Sequence, residues 1–292
     1  MTTRFDLQSH SVHSDGELEA AEVVARAAQA GIGVLALSDH DTVDGVDEAI
    51  AAGAEHGVGI VPAIEISALD PEGVDLHILG YGIDHDDAGF SVALERFRAD
   101  RGQRADRMVA ALRDCGFALD SGLLERKRAD GKPIGRPHLA EAVFNHPDNA
   151  ERIAAEGLQH PSDVLVAYLL PGTPAFRARS VPTIEDAVTA IHRAGGVAIW
   201  AHPFWDVENP DEVVSTLERF AEMGIDGVEA FYVTFDEEQT RLLADTASRL
   251  GLITTGSADF HGPSHDRFNQ FGAFETYGLE SGVERVLALA LT

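Results

Sequence analysis

The chain has 292 residues, room for one large α/β domain or two ordinary ones, and its 49 acidic against 22 basic residues give a formal net charge of −27. A field of that sign repels polyanions and excludes non-specific binding of duplex nucleic acid. A single cysteine, Cys115, excludes an intrachain disulfide and a thiolate metal cluster, and in "LRDCGF", at a helix end, it reads as a small packing residue. No stretch approaches the ~18 apolar residues of a membrane span, and residues 1–12 lack a basic segment followed by an apolar one, so a cytoplasmic protein is expected.

In chain order, a strand near residues 3–9 runs into "SHSVHSDG", which sets His10 and Asp15 close behind it. A pattern then repeats: a helix ending in glycine, an apolar β-branched run, and an ionisable residue. It occurs in "ARAAQAGIGVLALSDH", "AGAEHGVGIVPAIE", "AIHRAGGVAIWAH" and "TASRLGLITTGSADFH". Glycine in the left-handed conformation ends the helix, and a near-continuous apolar run suits a strand buried on both faces. Strands are therefore expected near residues 33–38, 60–66, 74–82, 196–201, 226–232 and 252–258. With the first they predict a parallel, TIM-like α/β barrel of seven strands whose ionisable residues meet at one rim.

Between the fourth and fifth strands the pattern stops. Phe97, Met108, Ala111 and Leu112 follow a helical period, which predicts barrel segments at 1–90 and 180–292 and an inserted helical subdomain at 91–179 over the barrel mouth. Residues 91–140 hold eleven of the 22 bases against seven acids. Such a stretch either faces an anion or forms a solvated helix face with ion pairs such as Asp100 with Arg104.

The strand ends collect His10, Asp15, His40, Glu65, His77, His202, Asp259 and His261. Imidazoles and carboxylates without sulfur suit Zn²⁺, Mn²⁺ or Fe²⁺, and eight such groups exceed what one ion with open positions needs, so two or three ions are expected. Asp39 and Asp41 flank His40 and are expected to accept hydrogen bonds that hold imidazoles in place. Glu229 ends the sixth strand, where it could position a water or make a bond inside the barrel. His13, His56, His85, His146, His160, His192 and His265 read as surface residues. Trp200 reads as core, whereas Phe204 or Trp205 could stack on a base at the rim.

The segments "FDLQSHSVHSDG", "LALSDHDTVDG", "PAIEIS", "DLHILGYGI", "GRPHLAEAV", "AIWAHP" and "TTGSADFHG", in this order, resemble the motifs of the PHP (polymerase and histidinol phosphatase) superfamily. They are most similar to its stand-alone phosphoesterases, a group acting on nucleotides, 3′,5′-bisphosphonucleotides and short RNA. The resemblance implies a distorted (β/α)₇ barrel and a cluster of metal ions. It implies His10 and Asp259 at one ion, Asp15, His40 and His261 at a second, His77 and His202 at a third, and Glu65 between them. Gln8 departs from the family's usual "D-L-H-x-H"; an amide oxygen binds such metals more weakly than imidazole, so one site of reduced affinity or altered metal preference is expected. Phe235 stands where relatives commonly carry histidine, which bears on substrate preference. Arg136 and His138, in "GRPHLA", match positions that contact substrate phosphate in the family, and Arg177 and Arg179 are further candidates for that role.

The expected function is hydrolysis of a small phosphate ester, a nucleotide foremost, by a water made hydroxide between ions ~3.5–4 Å apart. Asp15, Glu65, Asp259 and His261 are the expected catalytic residues. The alternatives are a metal hydrolase of the amidohydrolase kind, acting on a C–N or C–O bond, and a non-catalytic metal-binding module. Lys127 and Lys132 are the only lysines, and both fall in the insertion, which closes the route through a carboxylated lysine at a strand end.

Overall fold

The repeated glycine-to-ionisable segments build a nearly closed barrel of seven strands, seen in a computed structural model that describes residues 4–129, 134–178 and 181–291. The strands are β1 (Phe5–Asp6), β2 (Val34–Leu37), β3 (Gly59–Leu69), β4 (Asp75–Tyr81), β5 (Val197–Trp200), β6 (Gly227–Tyr232) and β7 (Ile253–Ser257), hydrogen-bonded in that order. Beyond β1 the chain turns to the last strand: Leu7 N donates to Gly256 O (3.3 Å), and Ser9 bridges to Phe260. The helix-ending glycines Gly31, Gly57, Gly195 and Gly251 have φ of 76, 71, 78 and 72°, the left-handed region that the repeat anticipates.

The helices are α1 (Ala20–Gln29), α2 (Val46–His56), α3 (Ala88–Asp114), α4 (Ser121–Ala129), α5 (Arg136–Phe144), α6 (Ala150–Ala155), α7 (Pro161–Val164), α8 (Ile184–Arg193), α9 (Pro203–Asp206), α10 (Pro210–Glu222), α11 (Glu237–Leu250) and α12 (Glu284–Leu287). Helix α1 buries Ala20, Val23, Val24 and Ala27, one stripe at helical spacing. Caps fix two of the starts. Thr183 Oγ1 accepts from Asp186 N (3.1 Å) ahead of α8, and Asp236 accepts from Gln239 N (2.9 Å) ahead of α11. Among the described residues no helix is long and apolar enough to cross a membrane.

The strands are not all parallel. β4 runs antiparallel to both β3 and β5, whereas the other pairs are parallel. The reason is the length of the β3–β4 connection, the five residues 70–74. A parallel crossover needs about a dozen or more residues, and this turn is closed instead by Asp70 N to Val74 O and Gly73 N to Asp70 O, both 3.0 Å. The reversal extends β3 past the rim and brings the N-terminal part of β4 to the end of the barrel where the other strands finish.

Side chains alternate between two apolar layers. Ala36, Val61, Ala63, Leu79, Tyr81, Val197 and Ile199 pack together with Val283 and Val286, and Leu35, Leu37 and Ile60 pack with α1 and α2. The opposite end is tied by the tail, where Leu291 N donates to Ile60 O (2.7 Å) at the start of β3.

The chain separates into two units, one holding the barrel (residues up to Leu94 and from Pro182), the other Glu95–Val181. The second unit has its own core, including Met108, Ala111, Leu112, Leu139 and Val143, against which Cys115 packs. The reading of Asp100 and Arg104 on a solvated helix face is corrected here. Asp100 and Arg104 are both buried, and Arg104 donates to Arg177 O (2.8 Å) and lies over Phe176, because this stretch of α3 is covered by the segment before α8. Lys132 and Arg179 lie outside the described residues, as does the Lys127 side chain.

Candidate metal centre

The segment after β1 enters the rim through backbone pairing: His10 N donates to Phe260 O (2.8 Å), and the His10 ring is fully buried. Its Nε2 lies 3.1 Å from Glu65 Oε2 and 3.0 Å from Asp259 Oδ1, and its Nδ1 lies 3.7 Å from Asp15. The turn carrying Asp15 is held by Asp39, whose carboxylate accepts from Ser11 N (2.7 Å), Ser11 Oγ (2.7 Å) and Ser14 Oγ (2.6 Å). Gly16 closes this turn, and a Cβ there would lie 2.3 Å from His10 O, so no larger residue fits. Asp15 thereby reaches His40 Nε2 and His261 Nε2, both at 3.6 Å, with its side chain 55% exposed.

Glu65 is the buried centre. Its Oε1 lies 2.7 Å from His77 Nδ1 and 3.0 Å from His202 Nε2; its Oε2 lies 3.1 Å from His10 and 3.6 Å from His40 Nδ1. His77 is near the N-terminal end of β4 rather than at a C-terminal strand end, opposite Ser67 in the antiparallel ladder. Asp41, His202 and Asp259 take positive φ of 57, 27 and 54°, although none is glycine. Each follows a strand where the chain turns at the rim, and such strain concentrates at functional sites.

The eight rim residues predicted from sequence therefore come together. Three overlapping groups have one ligand-type atom per residue within 4.8 Å of the others: His10, Asp15, His40 and His261; His40, Glu65 and His77; His10, Glu65 and Asp259. His202 adjoins the second group, 3.4 Å from His77. These groups fit divalent cations. Buried His10 Nε2, His40 Nδ1 and Asp259 Oδ1 make no well-directed hydrogen bond, although His10 Nε2 and Asp259 Oδ1 are 3.0 Å apart, an arrangement costly to maintain without a cation, and the donors are the nitrogens and oxygens that Zn²⁺, Mn²⁺ and Fe²⁺ accept.

The buried carboxylates of the cluster are held ionised. Burial by itself would raise the Glu65 carboxyl, yet His40, His77, His10 and His202 hold it well below the usual range. Burial likewise opposes ionisation of Asp259, but His10 and His261 bring it down to about 2. Burial depresses His40 and His261 toward the neutral, ligating form, whereas against the pull of burial Glu65 raises His77, Asp259 and Glu65 raise His10 well above the usual range, and Asp206 and Glu65 do the same to His202. The His261 Nδ1–H donates to Asp259 O (2.7 Å), leaving Nε2 free toward Asp15.

Supporting groups surround this cluster. Tyr232 donates to Asp259 Oδ2 (2.7 Å), and Asp206 lies 3.4 Å from His202 Nδ1. Neither was singled out from sequence; Tyr232 sits within the buried run "VEAFY", and Asp206 four residues beyond His202 was the available signal. Glu229, expected at the end of the sixth strand, lies within β6 and makes the interior bonds that were one of its two readings, accepting from His202 N (3.0 Å) and pairing with Ser257 Oγ (2.5 Å). Burial pushes its carboxyl up to about 8. Gln8 is also inside: its Nε2–H donates to Glu65 Oε2 (2.8 Å), while its Oε1 accepts from Ser257 (3.2 Å).

Some expectations are corrected and others hold. Asp39 holds the Ser11–Ser14 turn rather than an imidazole, and Asp41 accepts from Ser67 N and Oγ (3.0 and 3.3 Å). Both aspartates stand where the backbone leaves N–H groups that need acceptors. His265 is half-buried, its ring stacked on Phe268 (5.0 Å) and 5.3 Å from that of His261, because the loop after β7 folds back over the rim. His85 and His192 are paired with Asp47 (2.9 Å) and Asp226 (2.7 Å), away from the cluster. Trp200 is core, packed on Phe220, and Phe235 is buried against Tyr232 and Phe204. In the second unit, Arg136 opens α5, His138 Nδ1 accepts from Gly135 N (3.1 Å), and Arg177 donates to Pro174 O and Phe176 O within its own turn.

Comparison with known proteins adds a family. The PHP domain matches residues 6–153. A 5′-3′ exoribonuclease of Haemophilus influenzae is 33% identical over 265 residues, 90% of this chain and 92% of the relative. A 3′,5′-nucleoside bisphosphate phosphatase of Chromobacterium violaceum is 31% identical over 258 residues, 88% and 87% of the two chains. Among solved structures, one from Chromobacterium violaceum described as an amidohydrolase, with bound sulfate and no metal, superposes with a TM-score of 0.77 at 28% identity, over 99% of this chain and 98% of its own. One from Bifidobacterium adolescentis described as a metal-dependent phosphoesterase gives 0.74 at 28% identity, over 100% and 98%. The chain therefore belongs to the PHP domain family.

Proposed function

We propose that the chain hydrolyses phosphate esters of small nucleotide-type molecules, a nucleoside mono- or bisphosphate or the end of a short oligonucleotide, at the side chains gathered around Glu65. One observation carries this reading: five imidazoles and three carboxylates meet at one rim with buried nitrogen and oxygen atoms left unsatisfied. The names of the two relatives described above support the nucleotide class.

Two or three divalent ions of the Mn²⁺, Fe²⁺ or Zn²⁺ kind, bound here, would supply Lewis-acid chemistry, screening phosphoryl oxygens and making water nucleophilic near neutral pH. Glu65, buried and ionised, belongs to two of the three groups and would be shared between ions. His10 and His40 each turn both ring nitrogens to the cluster, so each joins two groups. Asp259, fixed by Tyr232 and His10, and His261, with Nδ1 engaged by a carbonyl, would hold their ions without rearrangement. Asp15 is the most exposed of these carboxylates and stands on the side from which substrate would arrive. Arg136 and His138 are our candidates for substrate phosphate. A guanidinium grips two oxygens at once, and His138 accepts from Gly135 N through Nδ1 at the start of the same helix.

A second reading, hydrolysis at carbon, is favoured by one observation, the description of the Chromobacterium violaceum structure as an amidohydrolase. The phosphate reading is preferred because both lysines of the sequence fall within Glu95–Val181, outside the barrel unit.

The test is phosphate release from a 3′,5′-bisphosphonucleoside and from AMP with added Mn²⁺, by the native chain and by the Asp259→Ala, His261→Ala double variant. Release by the first and not by the second is expected. Equal release by both rejects the site. Fewer than about two ions per chain after metal-replete growth would reject the multinuclear arrangement.

A further inference from the structure

Among the described residues, the exposed large apolar side chains are four aliphatic ones and a single aromatic, Trp205, 48% exposed. An indole is a large surface to leave in water, and this one stands next to the cluster. Trp205 N donates to His202 O (2.8 Å), one turn from an imidazole that faces Glu65. Its ring meets Phe268 edge-on at 5.4 Å and 61°, and the Arg267 guanidinium lies over it at 5.3 Å. Phe268 in turn touches His261 (5.5 Å) and Tyr232 (6.0 Å), and Tyr232 donates to Asp259. A wall of rings therefore runs from the ionisable cluster to an open indole.

The wall is held in place. His265 Nδ1 accepts from Phe268 N (3.0 Å), and Glu17 accepts from Ser264 N (3.1 Å) and Ser264 Oγ (2.5 Å), which ties the loop bearing Arg267 and Phe268 to the turn after β1. A surface fixed before binding loses little freedom when a ligand arrives. The chemistry suits a flat, neutral, π-rich group, since an indole face with a cation beside it gains from stacking and not from charge.

We propose that Trp205, backed by Phe268 and Arg267, is the surface on which the base of a nucleotide substrate stacks while its phosphate lies against the Glu65 cluster. This rests on the phosphoester reading above and goes further by naming the residue that selects nucleotides over base-free phosphate esters. Trp205 is a specificity residue; it touches no group of the cluster that would act on phosphorus.

The experiment compares AMP with ribose 5-phosphate on the native chain, Trp205→Ala and Trp205→Phe. Losing one base-stacking partner predicts a KM for AMP raised about five-fold to a hundred-fold in Trp205→Ala. The expected companions are an unchanged kcat, unchanged kinetics on ribose 5-phosphate, and rescue by Trp205→Phe. Equal effects on both esters, or no effect on either, overturn the proposal. A second readout does not need turnover. Trp200 is buried, so adenosine, which carries the base without the phosphate, is expected to quench the emission of the native chain and to leave Trp205→Phe unchanged, while ribose quenches neither. If no ester is hydrolysed, the phosphoesterase reading falls by itself, and the quenching still decides the stacking site: its absence overturns it.

Discussion

Gln8 gives its amide N–H to Glu65 Oε2 at 2.8 Å and turns its oxygen to Ser257. The one residue that departs from the expected histidine pair thus meets the central carboxylate as a donor. A donor nitrogen of this kind has no lone pair for a metal, so in this arrangement the group of His10, Glu65 and Asp259 has three protein ligand residues. Replacing Gln8 by histidine offers a fourth. Gln8→His is expected to bind more Mn²⁺ per chain, or to bind its weakest ion more tightly, in a chelator competition titration. Identical stoichiometry and affinity in the two proteins would show that position 8 does not limit the site.

The pH dependence of the metal-free protein follows from Glu229 and Asp6. Burial raises the Glu229 carboxyl from 4.5 to about 8 and that of Asp6 from 3.8 to about 7. Between the ordinary and raised values each group is protonated in the folded chain and ionised in the unfolded one. Their contribution to stability is therefore complete below about pH 4 and is lost as pH rises to about 8. Glu229→Gln keeps an uncharged group at the site and removes its share, on the order of a few kcal/mol. Melting temperatures from pH 5 to 9 are expected to fall less steeply in Glu229→Gln than in the native chain. Parallel curves would mean that Glu229 is ionised throughout.

How far the sequence reached can be judged from particular residues. Gly31, Gly57, Gly195 and Gly251 end helices in a conformation that few other residues accept, so the strands behind them were legible, and with them the rim positions of His40, Glu65, His202 and Asp259. The antiparallel course of β4 was written in the short "DPEG" turn but hidden by the apolar character of "LHILGY", which suits either direction. What the sequence did not disclose were partners separated by long stretches of chain. Tyr232 meets Asp259 across 27 residues and Gln8 meets Ser257 across 249. Asp39 and Asp41 looked like supports for neighbouring imidazoles because they flank His40. The backbone turn at that point directs them to hydroxyls and N–H groups that only the folded chain brings near.

Asp39 gives a prediction that separates shape from ligation. It accepts three hydrogen bonds from Ser11 and Ser14 and faces no metal group directly. Asp39→Ala leaves those donors without a charged acceptor, at a cost of about 2–4 kcal/mol. The turn that presents Asp15 then loosens. Metal affinity should fall at the group of Asp15, His40 and His261 and persist at His77 and His202. Calorimetric titration is expected to lose one binding event in Asp39→Ala, and loss of every event together would indicate unfolding.

Tyr232 tests the outer support of the cluster. Its hydroxyl donates to Asp259 Oδ2 at 2.7 Å, and burial next to that carboxylate raises the phenol far above its usual range, so it remains a donor at any working pH. The bond stabilises the ionised carboxylate and turns Oδ1 toward His10. In Tyr232→Phe the ring and its packing stay, while Asp259 loses one donor and becomes more basic. Since an ion binds only the deprotonated form, the pH at which metal binding is half complete should move upward. Affinity at neutral pH should drop about 10–100-fold, the usual effect of removing a partner of a ligating group. The check is Mn²⁺ affinity from pH 5 to 8, with the melting temperature of the metal-free proteins as control. An unshifted pH profile would mean that Asp259 does not hold the ion.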